Sequence, residues 1–298
     1  MDTIIIGSMG LDDIKTPFGD VKGVVGGSAT YASLAASLFS KPGIVAIIGE
    51  DFPKEQIALL EKKGIDIQGL ERKGKTFRWQ GMYEFDMNEA KTLKTELNSL
   101  MDFKPKLPKE YKKAKYVFLG NIDPELQLEV IKQLEKPEVI ILDTMNFWIS
   151  SKKEKLLEVI GKIDLLLIND GEARQLFETT NLVKAAKKAL SIGPKAVIIK
   201  KGEHGALLFT KDHHFNAPGY PLEDVKDPTG CGDSFGGTLI GYLSKTKDFD
   251  QKNIRKGIVY AGCVASFNAE DFSIGKLKTL TMQDVEKRYD KMKEIREF

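Results

Sequence analysis

Six short apolar runs punctuate the chain: TIIIG (3–7), IVAIIG (44–49), YVFLG (116–120), VIILD (139–143), LLLIND (165–170) and AVIIK (196–200). Their apolar positions are continuous instead of alternating, the pattern of parallel strands covered on both faces. Helical spacing fills the gaps, predicting helices over 30–39, 54–63, 124–134, 153–160, 172–179 and 182–190. Three more are expected near 232–245, 251–267 and 281–296. Such strand–helix alternation predicts a single α/β domain over 1–298, with a doubly wound, mainly parallel sheet and helices on both faces. Two segments break the alternation: 13–25 and roughly 67–100 carry turn residues with aromatic and β-branched residues. They predict a small β-sheet inserted twice into the main fold. A sheet of that size needs one face covered. A lid over an active site would cover it, and so would a homodimer contact.

Composition narrows the partners. The 298 residues are 42% hydrophobic and 30% charged, with a net charge of +2, which gives no electrostatic reason for nucleic acid binding. No apolar run is long enough to span a membrane, and the N-terminus MDTIIIGSMG lacks the features of a signal peptide. Two cysteines, Cys231 and Cys263, in no CxxC spacing imply no disulfide framework. A cytoplasmic, reducing location is the expectation.

The stretch KDPTGCGDSFGG (226–237) is where chemistry concentrates. Gly230, Cys231 and Gly232 run into a predicted helix, whose first N–H groups lack intrahelical partners and sit at the positive end of the helix dipole. Together these features make an anion site. Asp233 at that point either caps the helix or takes a proton from a hydroxyl whose attack builds negative charge nearby. The stretch is neither a P-loop nor GxGxxG.

The wider pattern resembles the ribokinase-like carbohydrate kinases, the phosphofructokinase-B family. DPTGCGDSFGG is similar to the family's C-terminal signature, and VVGGSATYASLAASLF (24–39) resembles its Gly-Gly turn opening a helix. NDGE (169–172), KKGEHGALLF (200–209) and GSMGLDD (7–13) match further blocks, in the family's order.

The resemblance implies roles residue by residue. Asp233 becomes the general base, and the backbone N–H groups of Gly230, Cys231 and Gly232 an anion hole. Asn169 and Glu172 position Mg²⁺ and phosphate through water, the alternative being a helix cap. Lys200 and Gly202 line the ATP phosphates and ribose, and Asn268 flanks the adenine. Asp227 and Thr229 sit where relatives hold a monovalent cation such as K⁺. Pro228 replaces the common Thr and removes a backbone donor, which leaves cation activation open. Asp12 is the substrate aspartate, with Asp13 as fallback. Gly26 and Gly27 admit close approach of the substrate. Asp123 is either an acidic substrate contact or the cap of the helix at 124. Tyr31 stands where many relatives carry an asparagine that binds sugar, which points to a different acceptor.

Phe77, Trp79 and Gly81 alternate along a lid strand, so one face either stacks on a base or fills the lid's own core. Tyr83 and the pair Phe147-Trp148 add to the aromatic content. Cys231 is a small turn residue or, with its thiolate favoured by the helix N-terminus, a reactive thiol whose alkylation blocks activity. The expected activity is transfer of the ATP γ-phosphoryl group to a hydroxyl of a sugar or sugar-containing metabolite. An adenosine-type nucleoside kinase is the alternative, and a catalytically silent binding protein the third reading.

Overall fold

The computed structural model describes residues 1–297. Along the chain, β1 (Thr3–Ile6), β2 (Gly10–Thr16), β3 (Gly19–Gly26), α1 (Ser28–Ala36), β4 (Pro42–Ile48), α2 (Lys54–Lys62) and β5 (Asp66–Arg72) come first. There follow β6 (Phe77–Met82), β7 (Lys91–Glu96), β8 (Tyr116–Leu119), α3 (Pro124–Gln133), β9 (Val139–Leu142), α4 (Asn146–Ser151) and α5 (Lys153–Ile160). The remainder is β10 (Leu165–Asn169), α6 (Asp170–Phe177), α7 (Leu182–Ile192), β11 (Ala196–Lys200), β12 (Ala206–Thr210), β13 (His214–Ala217), α8 (Cys231–Thr246), α9 (Gln251–Ala269) and α10 (Met282–Glu294).

The large sheet runs β13-β12-β11-β10-β9-β8-β1-β4-β5. It is parallel from β11 through β5 and antiparallel at β12 and β13. Its continuous apolar strands serve two cores at once, because successive side chains point to opposite faces. Ile5, Ile44, Ala46 and Ile48 pack with α1, α8 and α9, whereas Ile4, Ile6, Val45 and Ile47 face the core shared with α3, α5, α6 and α7. The doubly wound expectation holds.

The small sheet has the order β3-β2-β6-β7. Its boundaries correct the sequence reading in two places. Residues 66–72 do not belong to it: β5 joins the large sheet as a parallel edge strand beside β4. In the other direction the small sheet begins at Gly10, so Asp12 lies within β2 and not at the end of β1. The strand β13 was not anticipated.

Candidate active site

Three strand ends lie side by side on the carboxyl edge of the large sheet. Asp143 follows β9, Asn169 ends β10 and Lys200 ends β11, where crevices of open α/β sheets collect ligands. Lys200 Nζ reaches both oxygens of Asp143, at 2.9 and 2.7 Å. The same ammonium would stand 2.9 Å from a Cβ built on Gly232, so it faces the first turn of α8. Glycine there leaves the lysine head room against the turn.

Glu172 and Asp233 complete the cluster. Burial pushes the Glu172 carboxyl up to about 7, with Lys200 opposing and Asp143 reinforcing the shift. Burial likewise raises Asp233 to about 7, with Asp143 adding to it and Lys200 opposing. Burial works against charge on Lys200, yet Asp143 and Glu172 outweigh it and raise its pKa. Asp143 was named by no sequence motif considered above; a carboxylate at the end of a fully apolar strand was the available signal.

Asn169 and Glu172 form a reciprocal capping box on α6: Glu172 N–H donates to Asn169 Oδ1 at 2.7 Å, and Asn169 N–H donates to Glu172 Oε2 at 2.9 Å. The helix-cap reading of this pair is therefore satisfied. The other Glu172 oxygen stays outside that box, and the charges of Lys200 and Asp143 act on its carboxyl. Among the described residues no three His, Cys, Asp or Glu side chains gather as a metal site, so a Mg²⁺ ion here would be held through its waters.

The anion turn is built by backbone. Gly230 adopts φ +77°, and a Cβ there would overlap the Tyr31 ring, so only glycine fits. The N–H of Cys231 does not remain free as expected: it donates to Pro228 O at 3.1 Å. Gly230 and Gly232 N–H find no partner among the described residues. Asp227 is fully buried, and its two oxygens accept from Thr229 N–H at 2.9 Å and Ser273 N–H at 3.0 Å. It anchors the turn to the loop after α9. The K⁺ role drawn from the resemblance gains no support from that geometry.

Asn268 is buried to 1% exposure; its Nδ2 donates to Thr229 O at 2.7 Å, so it braces the turn, and its Oδ1 finds no partner among the described residues. For Cys231 the small-turn-residue reading is favoured over the reactive thiol. Burial pushes its thiol up to about 12, with Asp227 and Asp233 adding to the shift and a hydrogen bond from Asn268 opposing, so the helix terminus does not generate a thiolate at neutral pH. Asp123 caps α3, accepting from Glu125 N–H at 3.0 Å, and its other oxygen accepts from Lys152 Nζ at 2.7 Å. With both oxygens engaged, the cap reading holds and a substrate contact does not follow. Gly202 takes φ +54° in the turn after β11, where a Cβ would overlap Asn88 Oδ1.

On the other side of the turn, the small sheet brings Asp12 in. The carboxyl is 3% exposed, lies over Gly26 where any side chain would overlap it, and leaves Oδ1 without a partner among the described residues. Burial pushes it up to about 8, and the negative charges of Asp227 and Asp233 add to that. Gly27, at φ +94°, opens α1 where a Cβ would stand 2.5 Å from Ser8 O. Asp13 instead accepts from Gly23 N–H at 2.7 Å. Tyr31 is 1% exposed; its ring packs under Gly230, and its hydroxyl finds no partner among the described residues.

Trp79 is paired with Asp12 in the β2–β6 register, and Phe77 with Gly10, so both aromatics share the face that carries Asp12. The Trp79 ring lies across Gly81, and its Nε1 donates to Thr92 Oγ1 at 3.1 Å. Phe147 and Trp148 sit on α4, where Trp148 Nε1 donates to Asn121 Oδ1 at 2.8 Å. Tyr83, singled out only as an aromatic, reaches the anion turn through its hydroxyl, which accepts from Thr229 Oγ1 at 3.2 Å.

Comparison with known proteins identifies the family and the fold. The model of the pfkB family of carbohydrate kinases matches residues 10–272. A cytidine kinase from Thermococcus kodakarensis is 31% identical over 250 residues, covering 81% of this chain and 88% of the relative. The nucleoside kinase of Methanocaldococcus jannaschii superposes with a TM-score of 0.78 at 22% identity, over 98% of this chain and 99% of that one. An Escherichia coli protein provisionally named ribokinase II, solved with ATP and Mg²⁺, superposes at 0.77 with 18% identity, over 98% of this chain and 100% of that one. The latter two likenesses bear on the fold alone. The chain belongs to the pfkB family of carbohydrate kinases, ATP-dependent phosphotransferases that act on a sugar or a nucleoside.

Proposed function

We propose that this protein is a nucleoside kinase, moving the ATP γ-phosphoryl group to the primary hydroxyl of a ribose already joined to its base. The observation that carries the choice of nucleoside over free sugar is the pairing of Asp12 with Trp79 on one face of the small sheet. A carboxylate there accepts hydrogen bonds from vicinal ribose hydroxyls, and the neighbouring indole offers an apolar plane to the base. The 31% identity to a cytidine kinase over most of both chains supports the same reading.

In this account Asp233 is the general base. Its carboxylate takes the hydroxyl proton as the alcohol oxygen bonds to phosphorus, and the bridging oxygen leaves with ADP. The amides of Gly230 and Gly232, at the N-terminus of α8, face the charge on the equatorial oxygens. Lys200 exchanges some of its contact with Asp143 for phosphate. Mg²⁺, held through water by Glu172 with Asn169 fixing that helix start, would neutralise charge on the β- and γ-oxygens. The small sheet acts as a lid that excludes water from the reacting atoms. Exposed Phe85, Leu93 and Met101 on or near that sheet support a homodimer through the same element, which sedimentation would test.

A coupled ADP-release screen over nucleosides, pentoses, hexoses and their phosphates tests the acceptor. The expected result is the highest kcat/KM with a nucleoside and at least tenfold less with free ribose. A free sugar turned over better than any nucleoside would overturn the choice of acceptor while leaving the kinase chemistry intact.

A further inference from the structure

The small sheet is fastened to the anion turn by contacts that the transfer chemistry does not itself use. Tyr83 directly follows β6; its N–H donates to Lys15 O at 2.9 Å, which seats it against β2 three residues past Asp12. Its ring is 9% exposed, and its hydroxyl is the group that accepts from Thr229 Oγ1. Thr229 also donates its N–H to Asp227, whose other oxygen holds Ser273 N–H. The Ser273 hydroxyl in turn donates to Val25 O of β3. The turn is thus tied to one side of the sheet through Tyr83 and to the other through Ser273. A further contact lies at the hairpin end, where Asn88 covers Gly202 in the turn after β11.

Most of these ties join backbone to a buried anchor. The bond from Thr229 to Tyr83 is different, because it joins two side-chain hydroxyls, one from the turn and one from the sheet. Tyr83 continues β6, which carries Trp79, and pairs with β2, which carries Asp12. A ligand that engages those two groups holds the sheet down, and the sheet held down keeps Thr229 in place one residue before Gly230.

Resting on the nucleoside-kinase reading above, we propose that Tyr83 is a positioning residue: it locks the anion turn into its transfer geometry when acceptor seats the small sheet. Consumption of ATP is thereby tied to the presence of acceptor. Without acceptor this hydroxyl contact ties β6 to the turn by itself; acceptor bound at Asp12 and Trp79 adds to the tie, and without that addition hydrolysis stays slow.

Tyr83→Phe keeps the ring and removes only the hydroxyl. Amide hydrogen exchange on the ligand-free full chain is the first readout, since it needs no acceptor. Exchange is expected to quicken at 77–82 and at 229–233 together, with α3 and α5 unchanged. Steady-state kinetics with acceptor should show kcat reduced by about five- to tenfold, the range of one neutral hydrogen bond. The KM for ATP should stay within twofold, and the ratio of ATP hydrolysis to transfer should rise. Thr229→Val should match it, and the double variant should lose no more than either single one. Faster exchange in the sheet alone, additive losses in the double variant, or an unchanged hydrolysis ratio would each overturn the proposal. If the wild-type protein transferred to no nucleoside or sugar, the proposed function would fall on that result, and the exchange data would still decide whether Tyr83 joins sheet and turn.

Discussion

Replacing Asp12 by asparagine should make this protein more stable and less able to hold its acceptor. The carboxyl is 3% exposed, and one of its oxygens has no partner among the described residues. Its pKa is raised from the ordinary 3.8 to about 8, by burial first and by Asp227 and Asp233 after that. The folded chain therefore binds a proton here that the unfolded chain releases above pH 4. Stability from this group is full below the unfolded pKa and is lost as pH rises toward about 8. One proton of difference corresponds to about 1.4 kcal/mol per pH unit. Between pH 6 and pH 9 the wild-type protein should thus lose about 3 kcal/mol that Asp12→Asn retains. Glu172 titrates in both proteins and cancels in the difference, whereas Asp227 and Asp233 are coupled to Asp12, so the difference belongs to those three carboxyls together. At about 2–4 °C per kcal/mol for a chain of this size, the gap in Tm should widen by roughly 6–12 °C across that range. Thermal unfolding of both proteins at four pH values measures it directly. At pH 9, where the carboxyl is ionised, the acceptor KM should rise at least about tenfold, because hydrogen bonds to a charged group contribute roughly 1.5–3 kcal/mol, while the KM for ATP stays put. A Tm difference that does not change with pH would refute the reasoning, since it would mean that Asp12 is already ionised or paired in the folded chain.

Two other outcomes follow from the same cluster. The value of about 7 for Asp233 predicts that kcat/KM falls as pH drops below about 7, with Glu172 contributing to the same limb; a profile flat down to pH 5 would contradict it. Cys231, with its thiol held at about 12, should react slowly with iodoacetamide at pH 7, and Cys231→Ala should keep near-full turnover; fast alkylation with loss of activity would restore the reactive-thiol reading.

The strands and helices of the large sheet could be read from the sequence because burial on both faces leaves continuous apolar runs, and these are hard to mistake. The edge was not readable for the same reason. β5 is largely half-exposed and carries glycine and charged residues, so DIQGLER looked like part of the insert. HFNA in β13 is too short to show a pattern. Within the site, the stretch around Asp233 was readable because an anion turn needs glycine at φ +77° and at the Lys200 contact, and glycine leaves a mark in sequence. Partnerships across distant segments left none. Asp143 meets Lys200 across 57 positions, and Tyr83 meets Thr229 across 146. Asn268 meets Thr229 across 39 positions, another partnership of that kind.

The central claim is that Asp233 removes the acceptor proton beside a hole of backbone amides. Asp233→Asn preserves shape and removes the base, so turnover with the best acceptor is the most direct measurement. The account predicts a loss of kcat of about 10²–10⁴-fold, with ATP affinity by titration within about threefold of wild type. A variant that keeps more than about a tenth of wild-type kcat would contradict it.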